Sequence, residues 1–135
     1  MALHIRDYRP SDAAALARLS ETGLRLGALP ELDSGVRILA GLRGERITAA
    51  IWFCLDGETG IIPAILAKAG PRSYSDVQEL IAEASLWLGS RGAITIELGT
   101  VPQNPNLLAG LEEMHFRMDE HTGVMRRLVP ARSAA

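Results

Sequence analysis

Few side chains in this sequence are of the types that move protons near neutral pH. The candidates for a base are Glu58, Glu97 and His115. Glu58 stands in Asp56-Gly57-Glu58-Thr59-Gly60, a hairpin loop where a carboxylate is simply solvated. Glu97 lies between Ile96 and Leu98, on the opposite face of a strand, where most glutamates are surface or ion-paired groups. His115 titrates near neutrality if exposed. Its position at the end of a helix also suits a plain interaction with the C-terminal dipole. Cys54, the only cysteine, sits mid-strand in an apolar run and reads as a buried, unreactive thiol; no intramolecular disulfide can form. His4, His115 and His121 lack metal-ligand spacing, so no metal is assigned. For anions, the stretch Arg72-Ser73-Tyr74-Ser75-Asp76-Val77 opens a helix, and the free N–H groups of a helix start attract phosphate.

The elements that must position these groups follow from periodicity. Leu3 to Tyr8 alternates as a half-buried strand does. Pro10-Ser11-Asp12 opens a helix with Ser11 or Asp12 as cap and Ala13, Leu16 and Ala17 as apolar face. Residues 21–32 contain Gly23, Gly27 and Pro30, so a second helix there is short or irregular. Val36 to Leu42 is a strand. Ile47 to Leu55 is a central one, with Ile47, Ala49, Ile51, Phe53 and Leu55 on one face and Ala50, Trp52 and Cys54 on the other. Ile61 to Ala67 follows, and Pro63 inside it demands an irregularity or an unpaired side. Ser75 to Gln78 matches a capping box, and Val77, Leu80, Ile81, Ala84 and Leu88 continue at helical spacing. Ala93 to Leu98 is a strand with Ile94, Ile96 and Leu98 on one face. A helix over 106–114 and strands at His115–Met118 and Val124–Val129 close the chain.

The order β-α-(α)-β-β-β-α-β-α-β-β contains one βαβ unit, whose strands run parallel, among antiparallel hairpins. The expected fold class is α/β: a mixed central sheet with helices on both faces, in three layers. The 135 residues suit one domain, placed at 1–130, with 131–135 as a frayed tail. Charged residues make up 22% and the formal net charge is −2, so no general field draws in nucleic acid or an anionic membrane. No apolar run reaches membrane-spanning length, and no secretory leader opens the chain, which makes the cytoplasm the expected location. A single lysine among 14 basic residues fits a GC-rich bacterial source. Trp52 and Trp87 occupy core-compatible positions, and Arg126-Arg127 an exposed or paired edge.

Three segments, taken in order, carry a resemblance. The opening His4-Ile-Arg-Asp-Tyr-Arg-Pro-Ser-Asp-Ala-Ala-Ala-Leu-Ala-Arg18 is similar to the first strand and helix of the GNAT superfamily of N-acetyltransferases. Asn104-Pro-Asn-Leu-Leu-Ala-Gly-Leu-Glu-Glu-Met-His-Phe116 resembles that family's late N-P-x-A-x-x-x-Y-x-x-x-G-F segment. Gly123-Val-Met-Arg-Arg-Leu128 resembles its last strand.

The resemblance implies an acyl-CoA cofactor, acetyl-CoA or another, and an amine acceptor. Backbone groups of Ile65, Leu66 and Ala67, on a strand splayed from its neighbour, would meet the thioester arm. The family's Q/R-x-x-G-x-G/A loop would fall on Arg72, Ser73, Tyr74, Ser75, Asp76 and Val77, and Asn104 would also contact the cofactor. Arg72 keeps the loop's first position, while Ser75 and Val77 replace its glycines and Asp76 adds a negative charge. The family's proton-donating tyrosine falls on Leu111, which cannot transfer a proton, and its last glycine on His115. Glu97 and His115 then remain as bases. Two functions follow: a divergent acyltransferase, or a non-catalytic binding or regulatory module on the same fold. The shortened segment 21–35 implies an open acceptor side, and uncovered edge strands make a homodimer the expected assembly.

Overall fold

The structure, a computed structural model, describes residues 2–30 and 35–129. Its elements are β1 (His4–Asp7), α1 (Ala13–Thr22), β2 (Leu24–Leu26), β3 (Arg37–Arg43), β4 (Arg46–Asp56) and β5 (Thr59–Ala67). They continue with α2 (Ser73–Ser90), β6 (Thr95–Leu98), α3 (Pro105–Glu113), β7 (Arg117–Met118) and β8 (Met125–Leu128). The strands form one sheet in the order β1-β3-β4-β5-β6-β8-β7, with β2 attached to β5. β5 and β6 are parallel, joined through α2, and the other pairs are antiparallel. This is the mixed α/β sheet that the pattern implies. The anticipated tail and residues 31–34 lie outside the described residues.

Each face of the sheet has its own core. Val77, Leu80, Ile81, Ala84 and Leu88 of α2, with Leu107 and Leu111 of α3, pack on Ala49, Ile51, Phe53, Ile62, Ile65 and Ile96. Leu16 and Leu19 of α1 cover Ala50, Trp52, Ala64 and Leu66 on the other face. β4 is therefore covered on both sides, which accounts for its unbroken apolar run.

Several local expectations need correction. Ile47 packs with the α1 core rather than with Ala49 and Ile51, because the β3–β4 register shifts between Gly41 and Leu42 and turns its side chain over. Cys54 is half-buried rather than buried. Ile94 precedes β6 and is exposed, since the strand begins only at Thr95. Ala13 and Ala17 are exposed, and Leu16 and Leu19 form the buried stripe of α1. Asp12 does not cap α1. Its carboxylate accepts from Arg9 N at 2.8 Å and forms a two-pronged pair with Arg6 at 2.8 and 3.0 Å, tying the helix start to β1. In place of a second helix within 21–32, Leu24–Leu26 form a strand.

Candidate functional site

The site begins with Pro63. The β5–β6 ladder runs from Thr59↔Thr95 to Ile62↔Leu98, and Gly99 N donates to Ile62 O at 2.9 Å as its last bond. Proline has no N–H for the ladder. At the same point the β4–β5 register slips between Trp52 and Cys54, the irregularity that Pro63 demands. Beyond it β6 leaves, and β5 continues beside β4 to Ala67.

That continuing edge is not bare. β2 pairs with it antiparallel: Leu24↔Ala67, Arg25↔Leu66 and Leu26↔Ile65. Glycines bracket the three residues. A β-carbon on Gly23 would lie 2.5 Å from Ala67 O, and one on Gly27, at φ +80, would lie 2.0 Å from Pro63 O. Leu26 is buried in the α2-side core. The expected open acceptor side is thus corrected over 24–26: those residues fill the gap left by β6. The residues expected to offer free backbone groups, Ile65, Leu66 and Ala67, already have a partner.

Above the gap two helices begin. The turn through Gly70 and Pro71 sets the start of α2, where Ser73 N and Ser73 Oγ both bond Gly70 O, at 3.2 and 2.8 Å. The helix therefore starts at Ser73, and Ser75, expected as its N-cap, lies inside the first turn. Tyr74 and Ser75 present first-turn N–H groups that no helical carbonyl can reach. Asn104 caps α3, its Oδ1 accepting from Asn106 N at 2.9 Å and Leu107 N at 3.3 Å, with Pro105 at the first helical position. Tyr74 donates its hydroxyl to the same Asn104 oxygen at 3.4 Å, so the two helix starts are bridged.

Asp76 does not face a ligand beside that turn. It is buried, pairs with Arg43 at 2.5 Å and accepts from Thr48 Oγ1 at 3.4 Å. Val77 points into the core, as its spacing requires. Beside the turn lies a cavity of about 270 Å³, lined by Arg43, Arg46, Thr48, Lys68, Gly70, Arg72 and Asp76 among others. It gathers cations from β3, β4 and the loop after β5, and a larger cleft beneath α1 shares Arg46, Thr48 and Lys68 with it.

The remaining candidates divide. Leu111 is buried against Phe116 at the end of α3. There Phe116 N reaches Leu111 O at 3.1 Å and His115 N reaches Glu112 O at 3.0 Å, with His115 at φ +73. This is a Schellman motif, and His115 is its exposed left-handed residue. Glu97 pairs with Arg126, directly across the β6–β8 ladder, and Arg126 also holds Asp119 at 3.0 Å. It lies one residue before the point where β6 departs. Glu58 is exposed at the other end of β5. The Cys54 thiol is pushed up, first by burial and then by Asp56, which keeps it protonated. Among the described residues no group of histidine, cysteine or carboxylate side chains could hold a metal, and no helix is long and apolar enough to cross a membrane.

No protein-family model and no curated protein matches the sequence. Solved structures do. The ribosomal-protein-S18-alanine N-acetyltransferase from Escherichia coli superposes with a TM-score of 0.77 at 13% identity, over 99% of each chain. An acetyltransferase of the GNAT family from Staphylococcus aureus Mu50 does so with 0.74 at 14%, over 96% of this chain and 100% of its own. This chain has the GNAT fold. A third structure, the PaiA N-acetyltransferase from Thermoplasma acidophilum in complex with coenzyme A, gives 0.75 at 11% identity, over 95% of this chain and 99% of its own.

Against a GNAT cofactor the residues fit in two unequal parts. The phosphate end has Arg46, Lys68, Arg72 and the start of α2. The thioester end fits only if β2 gives up the β5 edge. β2, Arg46 and Lys68 were not evident from the residues. Leu24-Arg25-Leu26 between two glycines was the available signal, a short alternating run between hinges.

Proposed function

We propose that this chain is an acyl-CoA-dependent N-acyltransferase, acting on a primary amine. The observation that carries this is the divided sheet: β5 outruns β6 after Pro63, and two helix N-termini flank the opening. Arg72, Lys68 and Arg46 would hold the phosphates, with the N–H groups of Tyr74 and Ser75. Backbone groups at Ile65–Ala67 would align the thioester arm and polarise its carbonyl. The amine nitrogen forms a bond to that carbonyl carbon, the carbon–sulfur bond breaks, and CoA leaves as thiolate, which takes up, through water, the proton that the new amide nitrogen sheds. Glu97 is the base we assign to the ammonium proton, through water, with Arg126 holding its carboxylate in place. His115 has no role in the chemistry.

Release of CoA thiol from acetyl-CoA, measured over a panel of primary amines, tests this. Turnover with at least one amine, reduced about 100-fold or more in Glu97→Gln, is expected. A Glu97→Gln enzyme of full activity would remove the base assignment. A second reading, a GNAT-fold module without CoA chemistry, rests on Leu111 in the tyrosine's place and on the occupied β5 edge.

A further inference from the structure

β5 offers one row of N–H and C=O groups on the side that β6 abandons. A strand edge pairs with one neighbour at a time. In this structure that neighbour is β2, at Ile65, Leu66 and Ala67, the residues to which the thioester arm is assigned. Ligand and β2 therefore exclude each other.

The construction of β2 suits a segment that can leave. It has only three residues. Its buried anchor is Leu26, Leu24 is half-buried, and Arg25 is exposed. Gly23 and Gly27 stand at its ends, and each lies so close to a β5 carbonyl that no side chain fits. Glycine serves close backbone approach and also gives the chain freedom to swing. Tyr74 and Asn104 join the starts of α2 and α3 through a single long hydrogen bond.

We propose that β2 is an autoinhibitory strap, and that acyl-CoA binds only the form in which residues 24–26 have left β5. This rests on the acyl-CoA reading above. The observed dissociation constant is then the intrinsic one divided by the open fraction. Whatever loosens the strap tightens acyl-CoA binding without touching a ligand contact.

Two variants of the full chain test it, each titrated calorimetrically with acetyl-CoA and followed by amide hydrogen exchange. Gly27→Ala forces the backbone at the hinge away from Pro63 O. It should lower the dissociation constant about tenfold and speed exchange at residues 24–26. The pair Leu24→Cys and Ala67→Cys, in a Cys54→Ala background, occupies facing positions and can be bridged. The oxidised form should bind acetyl-CoA at least tenfold more weakly than the reduced form of the same pair. Equal affinity in wild type and Gly27→Ala would overturn the strap and leave the acyl-CoA reading standing. So would full binding by the oxidised pair, or acetyl-CoA bound with residues 24–26 still protected. Absence of binding in wild type, Gly27→Ala and the reduced pair alike would overturn both.

Discussion

His115 holds a left-handed backbone that costs a non-glycine residue about 1 kcal/mol. His115→Gly should therefore raise the free energy of unfolding by about 1 kcal/mol, read from urea denaturation, with turnover unchanged. Its role was not legible from residue type, because a histidine after a helix suits a dipole contact as well as a cap. Only the bonds to Leu111 and Glu112 distinguish them. Leu111 was legible as a residue unable to donate a proton, but its packing on Phe116 was not. Leu111→Tyr should not restore acid catalysis; it should cost roughly 2 kcal/mol by overpacking a filled core. Asp12 gives a pH signature. The Arg6 guanidinium holds its carboxyl below the ordinary value, aided by Arg9 N and against the effect of burial. A depressed native pKa adds stability above the unfolded value, near 3.8, and that stability is lost as pH falls through the native value. The wild-type unfolding free energy should decline in that acid window, and Asp12→Asn should flatten the decline.

At the scale of elements, the first turn of α2 directs two of its side chains inward. Val77 faces the core and Asp76 is locked to Arg43, so the first turn is built for packing. Val77→Gly should lose roughly 3 kcal/mol through a cavity and a glycine in the helix, without improving acetyl-CoA affinity. A thermal melt and a titration of the same sample would check both parts. The core face of α2 was legible because five apolar residues repeat at helical spacing. Its start was not: Ser75 and Gln78 satisfy the capping-box pattern, but the Gly70–Pro71 turn begins the helix three residues earlier, with Arg72 at the cap position. Pro63 was legible as an interruption, since a residue without an N–H must break a ladder somewhere. That it marks the division of the sheet depends on β6 ending at Leu98, which no local pattern reveals.

For the molecule as a whole, the order of elements was enough for the fold, because hairpins and one βαβ unit leave few arrangements of a mixed sheet. The strap was beyond reach. Three residues bear too little periodicity to announce a strand, and their pairing with β5 spans some forty positions of sequence. The consequence is a GNAT fold in which β2 covers the β5 edge that β6 leaves beyond Pro63. The most direct test of acyl-CoA binding at this edge is a titration of the isotopically labelled full chain with acetyl-CoA, followed at the backbone amides by two-dimensional NMR. The account predicts saturable shifts at Ile65–Ala67, at Tyr74–Ser75 and at Leu24–Leu26 together. Saturating acetyl-CoA that leaves all three sets unmoved would contradict it.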